Sequence, residues 1–267
     1  ACLQAGNNHI WAHRSSLGGV ATTDLWTGHG SLTVRVRDYI VQSGVGGATS
    51  CDISQIMPIG TAAHEFGHAL GLPDLYDTGG PTEGIGRWGL MSSGNFSTPP
   101  SPARMEAWSL NELGWVTIAP LTTTGTYSFG AAPVSDTAFR VDVQGTNTRN
   151  EYFLLENRQA ALADTALIAN ACRVWYQQQN PPPCPGGLLV WHVDGAIMAG
   201  GGNALNAGSV HGLTLEEADG ARDLWCPGAV PLGCNRGDAG DVYAGVSGNT
   251  KFGFRTSPAA TKNLDGS

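Results

Sequence analysis

The 267-residue sequence predicts an α+β fold in two parts: residues 1–115 built round one helix, and a β-rich region, 116–267, packed on them. Three observations carry this expectation. The run His64-Glu65-Phe66-Gly67-His68 lies between a helix start signal and a helix stop. Residues 32–42 alternate Leu32, Val34 and Val36 with Arg35 and Arg37, the two-residue period of a strand. Beyond residue 116 the chain breaks into short apolar or alternating runs separated by Gly, Pro, Asn and Thr.

Taken in order, the strand at 32–42 is expected to be half-buried. The helix follows, opened by Pro58, Gly60 and Thr61, with Thr61 placed to cap it. Gly71 can take positive φ and turn the chain back, and Pro73 keeps the helix from resuming. A Gly-rich loop, 78–98, then carries Met91 in the tight turn Trp88-Gly89-Leu90-Met91-Ser92-Ser93-Gly94. Ser101 and Pro102 signal a short helix with Met105, Trp108 and Leu113 on its buried side and Gly114 at its end. Residues 126–130, 138–144, 151–157 and 187–194 read as strands, with the polar run Gln177–Pro183 as an extended excursion between two of them. The tail, 200–267, is rich in Gly and Asp and shows little periodicity.

The chemistry concentrates in the helix. Residues four apart share one helical face, so His64 and His68 can grip a single metal ion. Glu65 is placed to reach a water at that ion without being a ligand, as a general base requires. The turn at Gly71 brings Asp74 back as third ligand and leaves a fourth position open. A bare His-Glu-x-x-His string also occurs in helices that bind nothing. The added Gly71, Asp74 and Met91 favour a catalytic zinc site.

This long motif with its Met-containing turn resembles the metzincin metallopeptidases, and among them the immune inhibitor A-like group, peptidase family M6. Further stretches resemble that group in collinear order: His9–Arg14, Gly71–Asp77, Arg87–Met91, Leu113–Trp115, Glu151–Arg158, Gly187–Asp194 and Glu217–Gly220. The resemblance implies a metzincin-like catalytic module of zinc helix, Met-turn and C-terminal helix. It implies His64, His68 and Asp74 as Zn2+ ligands, Glu65 as general base and acid, and Met91 as the hydrophobic floor beneath the metal. The implied activity is that of a secreted zinc endopeptidase hydrolysing internal bonds of protein or peptide substrates.

Metzincin modules begin with several strands and a long helix, whereas 63 residues precede His64 here. The start of the sheet, with any signal peptide and propeptide, is therefore expected to be missing from this chain. In metzincins an edge strand before the zinc helix pairs with substrate, and residues 32–42 are the candidate for that part. Metzincins also often place a Tyr near the Met-turn, and none lies within the few residues after Met91. The competing expectations are a non-catalytic, zinc-stabilised binding module or an inactive peptidase fragment. Retention of Glu65 argues against a purely structural ion. An aminopeptidase-like enzyme using Glu112 or Glu151 as distal ligand leaves Gly71 and Asp74 unexplained.

The remaining composition narrows partners. Fourteen basic against 22 acidic residues give net −8, and the basic residues are scattered, which excludes a nucleic-acid footprint. No apolar run approaches the roughly 18 residues of a membrane span. A monomer is expected. The six cysteines lack metal spacing; nearness in sequence suggests Cys172–Cys184 and Cys226–Cys234, leaving Cys2–Cys51. Six cysteines allow about fifteen pairings. The family resemblance points to an extracellular, disulfide-permitting location.

In the tail, Asp219, Asp238 and Asp241, with Glu216 and Glu217, offer hard oxygen ligands for Ca2+ among glycines. Solvated loop carboxylates are the plainer alternative. His192 reads as a hydrogen-bonded strand histidine, and His9 and His13 as packing near Trp11.

Overall fold

A two-stranded antiparallel ribbon, β1 (His13–Leu25) and β2 (Thr33–Val41), precedes the helix α1 (Ile59–Ala69). The computed structural model describes residues 12–46, 55–144, 148–225, 235–253, 255–256 and 258–260. After α1 come the short helices α2 (Gly94–Ser97) and α3 (Ala107–Glu112), and then a mixed five-stranded sheet. Its strands are β3 (Thr117–Pro120), β4 (Thr137–Asp142), β5 (Glu151–Arg158), β6 (Gly187–Asp194) and β7 (Leu213–Leu215), in the order β3-β4-β5-β6-β7. Helix α4 (Asp164–Tyr176) links β5 to β6, and α5 (Gly195–Gly200) follows β6. The chain is thus α+β, as its sequence predicts.

The core runs through both halves. One buried cluster contains Leu75, Met91 and Trp108 from the first part and Leu154, Trp191 and Leu213 from the second. Strand β6 lies between β5 and β7, which explains why Leu189, Val190, Trp191 and Val193 form an almost unbroken buried run.

Several local expectations shift. The strand expected at 32–42 is β2, but Val34 and Val36 are 44% and 42% exposed. A ribbon of two strands has no further layer of its own to bury one face. Helix α1 starts at Ile59 after an extended Pro58 (φ −58°, ψ 150°), so Thr61 lies inside it and caps nothing. Ser101 and Pro102 do not open a helix either. Residues 101–106 run without regular structure, Ala103 N–H bonds to Gly94 O, and Glu106 caps α3 by accepting from Ser109 N–H at 2.9 Å. Residues 126–130 form no strand; Phe129 instead packs on Phe139, ring centroids 4.4 Å apart.

Helix α4 is an addition that the strand reading of this region missed. Its buried residues Asp164, Leu167, Ile168, Ala171 and Cys172 follow the helical period, and Gln177 closes it in the left-handed region at φ 51°. The run Gln177–Pro183 therefore connects a helix to a strand. Cys172 and Cys184 are disulfide-bonded across it, Cα atoms 5.7 Å apart. The other four cysteines, with His9 and Trp11, lie outside the described residues. His13 packs edge-on against Tyr39, ring centroids 5.8 Å apart.

His192 on β6 is held between two carboxylates, its Nε2 2.7 Å from Glu151 Oε2 and its Nδ1 3.4 Å from Glu216 Oε1. Burial works against the imidazolium, but these contacts outweigh it and raise its pKa. A group whose folded pKa is raised contributes stability that is complete below its unfolded value, near 6.5, and lost as pH rises through the folded value. Stability should therefore fall above pH ~6.5 by this increment. Replacement by Gln should flatten that part of a denaturation-against-pH profile, and an unchanged profile would contradict the assignment.

Candidate metal centre

Helix α1 carries His64 and Glu65 buried and His68 half-buried, the two imidazole centroids 4.7 Å apart. The chain then reverses at Gly71, whose φ of +101° disfavours any residue with a side chain. Leu72 N–H closes the turn onto Gly67 O at 3.0 Å. This returns Asp74 over the helix, its Oδ1 3.1 Å from His64 Nε2 and 3.2 Å from His68 Nε2.

The outer nitrogens decide what those contacts are. His64 Nδ1 lies 3.0 Å from Leu90 O, and His68 Nδ1 lies 2.8 Å from Leu72 O. A carbonyl only accepts, so each Nδ1 carries the proton and each Nε2 presents a lone pair. Asp74 Oδ1, buried and without a hydrogen-bond donor, faces both lone pairs. Three electron pairs converging on one point fit a cation, and a set of two imidazoles and a carboxylate suits zinc.

Met91 packs against helix α1. It is fully buried, and a Cβ on Gly67 would fall 2.4 Å from its sulfur, so only glycine lets the helix settle on it. The same turn orients two of the candidate ligands through its backbone. Leu90 O fixes His64, while Met91 O accepts from Leu75 N–H at 2.8 Å, beside Asp74.

The second oxygen of Asp74 is held by residues that the sequence alone did not single out. Tyr76 donates its hydroxyl to Oδ2 at 3.0 Å, and Asn203 Nδ2 donates to the same atom. Asn203 Oδ1 in return accepts from Asp74 N–H at 2.5 Å. Burial, then the Asp74 charge, push the Tyr76 hydroxyl up to about 12, so it remains a donor. Asn203 comes from a Gly-rich loop 129 residues further along, which no spacing rule connects to Asp74. Tyr76 was signalled only by lying two residues after a ligand. Truncating Asn203 to Ala should lower zinc affinity by about 10–100-fold, as loss of an outer-shell partner does. Competition with a chromogenic chelator measures this, and an unchanged affinity would count against the role.

Around the site is a cleft of about 720 Å³. Glu65 and Tyr76 line it from the metal side, His13 and Arg14 from β1, and Met198 and Asn203 from the region after residue 116. The start of β1, and not β2, is therefore the strand segment at the cleft. Glu112 lines it too, whereas Glu151 is engaged with His192.

The tail carboxylates gather elsewhere. Glu217, Asp219 and Asp241 each bring an oxygen within 4.8 Å of the others. Asp238 caps a 3₁₀ turn, Ala239–Asp241, beside them, accepting from Gly240 N–H at 2.7 Å. Glu216 is not part of this group, since it faces His192. Burial, then repulsion from neighbouring carboxylates, raise the pKa of Glu217, Asp223, Asp238 and Asp241.

Residues 3–116 match the family model described as immune inhibitor A peptidase M6, catalytic domain. The chain is 35% identical over 98 residues to the pre-pro-metalloprotease PrtV of Vibrio cholerae serotype O1 (strains M66-2 and ATCC 39315). It is 32% identical over 98 residues to immune inhibitor A of Bacillus thuringiensis subsp. alesti. Each match covers 34% of this chain, and 10% and 13% of the respective relatives. The chain thus spans about a tenth of the length of the curated relatives it matches.

Proposed function

We propose that this chain, whose residues 3–116 match the catalytic-domain model of the M6 peptidases, is a metzincin-like zinc endopeptidase module acting outside the cell on protein or peptide substrates. The observation that carries the reading is the convergence of His64 Nε2, His68 Nε2 and Asp74 Oδ1 at 3.1–3.2 Å in a cleft that Glu65 also lines. The Cys172–Cys184 disulfide supports an oxidising compartment. Among the described residues no helix is long and apolar enough to cross a membrane.

His64, His68 and Asp74 would hold the ion. A zinc ion held there would supply Lewis acidity for the scissile carbonyl and the attacking water. Glu65 takes a proton from that water as its oxygen bonds to the carbonyl carbon. The C–N bond then breaks, and Glu65 delivers the proton to the leaving nitrogen. Leu90 O and Leu72 O keep both imidazoles in the ligating tautomer through these steps. Tyr76 and Asn203 hold Asp74 Oδ2, so that Oδ1 stays turned to His64 and His68. Met91 closes the floor against water.

The test is metal content together with cleavage of casein and of an end-blocked peptide. The reading expects one zinc per chain, activity lost on chelation and restored by zinc, and cuts within the blocked peptide. Folded protein that takes up no zinc would overturn it. Zinc without cleavage would instead favour a binding module.

A further inference from the structure

We infer that Glu112 selects substrates carrying a basic side chain, Lys or Arg, near the scissile bond, an inference that rests on the peptidase reading of the same cleft. Glu112 is the exposed last residue of α3 and lines the cleft together with Trp108 of the same helix. Residues four apart share one helical face, so the indole and the carboxylate open on the same side. Leu72 and Pro73, from the turn before Asp74, line that cleft as well. An apolar wall that carries a carboxylate fits a side chain with an aliphatic stem and a cationic head.

The protein itself makes no use of this charge. The Glu112 carboxylate has no hydrogen bond and no ion pair among the described residues. Tyr152 feels its field, but Arg140, which lies over that ring, is paired with Asp142 at 2.7 Å. Helix stability does not call for it either, because a carboxylate at a helix C-terminus opposes the local dipole.

The charges around the cleft leave Glu112 uncompensated. Apart from the imidazoles, the other charged groups lining it are Glu65, Asp74 and Arg14. A zinc ion on the candidate ligands would offset the first two. Arg14 is engaged with Asp38, Nη2 to Oδ1 at 2.5 Å, so it offers little to an acidic substrate. Glu112 is then the open negative charge facing a bound peptide. The chain as a whole carries net −8, so a basic substrate is also drawn in at long range.

The experiment uses the full chain with zinc saturating and a set of end-blocked peptides. Lys, Arg, Gln or Glu stands in turn at each position flanking the cut. At one position Lys and Arg should each raise kcat/KM about fivefold over Gln, and the gain should shrink as NaCl is raised. Glu112→Gln should abolish that ratio, and Glu112→Lys should invert it in favour of Glu. Each ratio is read within one protein, so a partial loss of folded enzyme cancels. Calorimetric binding of the same peptides, uncleaved, to Glu65→Gln protein should give the same order of Kd. Cleavage indifferent to charge, or a basic preference that survives Glu112→Gln, would overturn the proposal and leave the peptidase reading standing. Cleavage of no peptide at all would remove both.

Discussion

Glu65→Gln should lower kcat/KM on an end-blocked peptide by about 10³-fold while leaving zinc content at one per chain. Glutamine keeps the shape and a hydrogen-bonding oxygen but cannot carry a proton from water to the leaving nitrogen. Glu65 follows His64 by one residue, so it is turned about 100° round the helix from that ligand. It lines the cleft without joining the three ligand atoms. Metal binding and proton transfer are therefore separable here. A variant with wild-type activity would remove Glu65 from the mechanism. Loss of zinc as well would mean that the residue supports the site structurally.

Arg158→Ala should cost about 3–5 kcal/mol of stability and lower Tm by about 10 °C or more. The Arg158 guanidinium is fully buried and makes a two-pronged pair with Asp164, Nε to Oδ2 at 2.6 Å and Nη2 to Oδ1 at 2.8 Å. Its Nη1 donates to Glu156 Oε1 at 3.2 Å and to Trp88 O at 3.3 Å. Removing it leaves the buried Asp164 on α4 without its cation and Glu156 on β5 with Arg104 alone, 3.9 Å away. It also cuts a link from the five-stranded sheet to the loop carrying Met91. The variant should thus lose zinc at a lower temperature than wild type, read by metal release during thermal unfolding. A Tm shift under ~3 °C would show that these charges are satisfied otherwise.

Helix α1 was legible because its signals are local. His64, Glu65 and His68 declare a shared face by spacing alone, and Gly71 with Pro73 declares the stop. The strands β4, β5 and β6 were legible for the same reason, as period-two or continuous apolar runs between turn residues. Helix α4 had a readable stripe at Leu167, Ile168, Ala171 and Cys172, but the Gln- and Pro-rich run after it drew the segment into an extended reading. Capping was less legible. Ser101-Pro102 is a start signal by composition, yet Glu106 takes the cap because its side chain is already buried at that point.

By itself the sequence determined the α+β class, the residue types of the candidate metal centre and the turn that brings Asp74 round to them. Each depends on contacts within a few residues, which periodicity and φ preferences encode. Only the tertiary structure decided that Leu90 O orients His64, that Asn203 clamps Asp74, and that Glu217 joins Asp219 and Asp241 while Glu216 turns to His192. Those pairings join parts of the chain far apart in number, or choose between adjacent carboxylates by which face of a chain they leave. No local propensity carries that information; long-range packing of loops does.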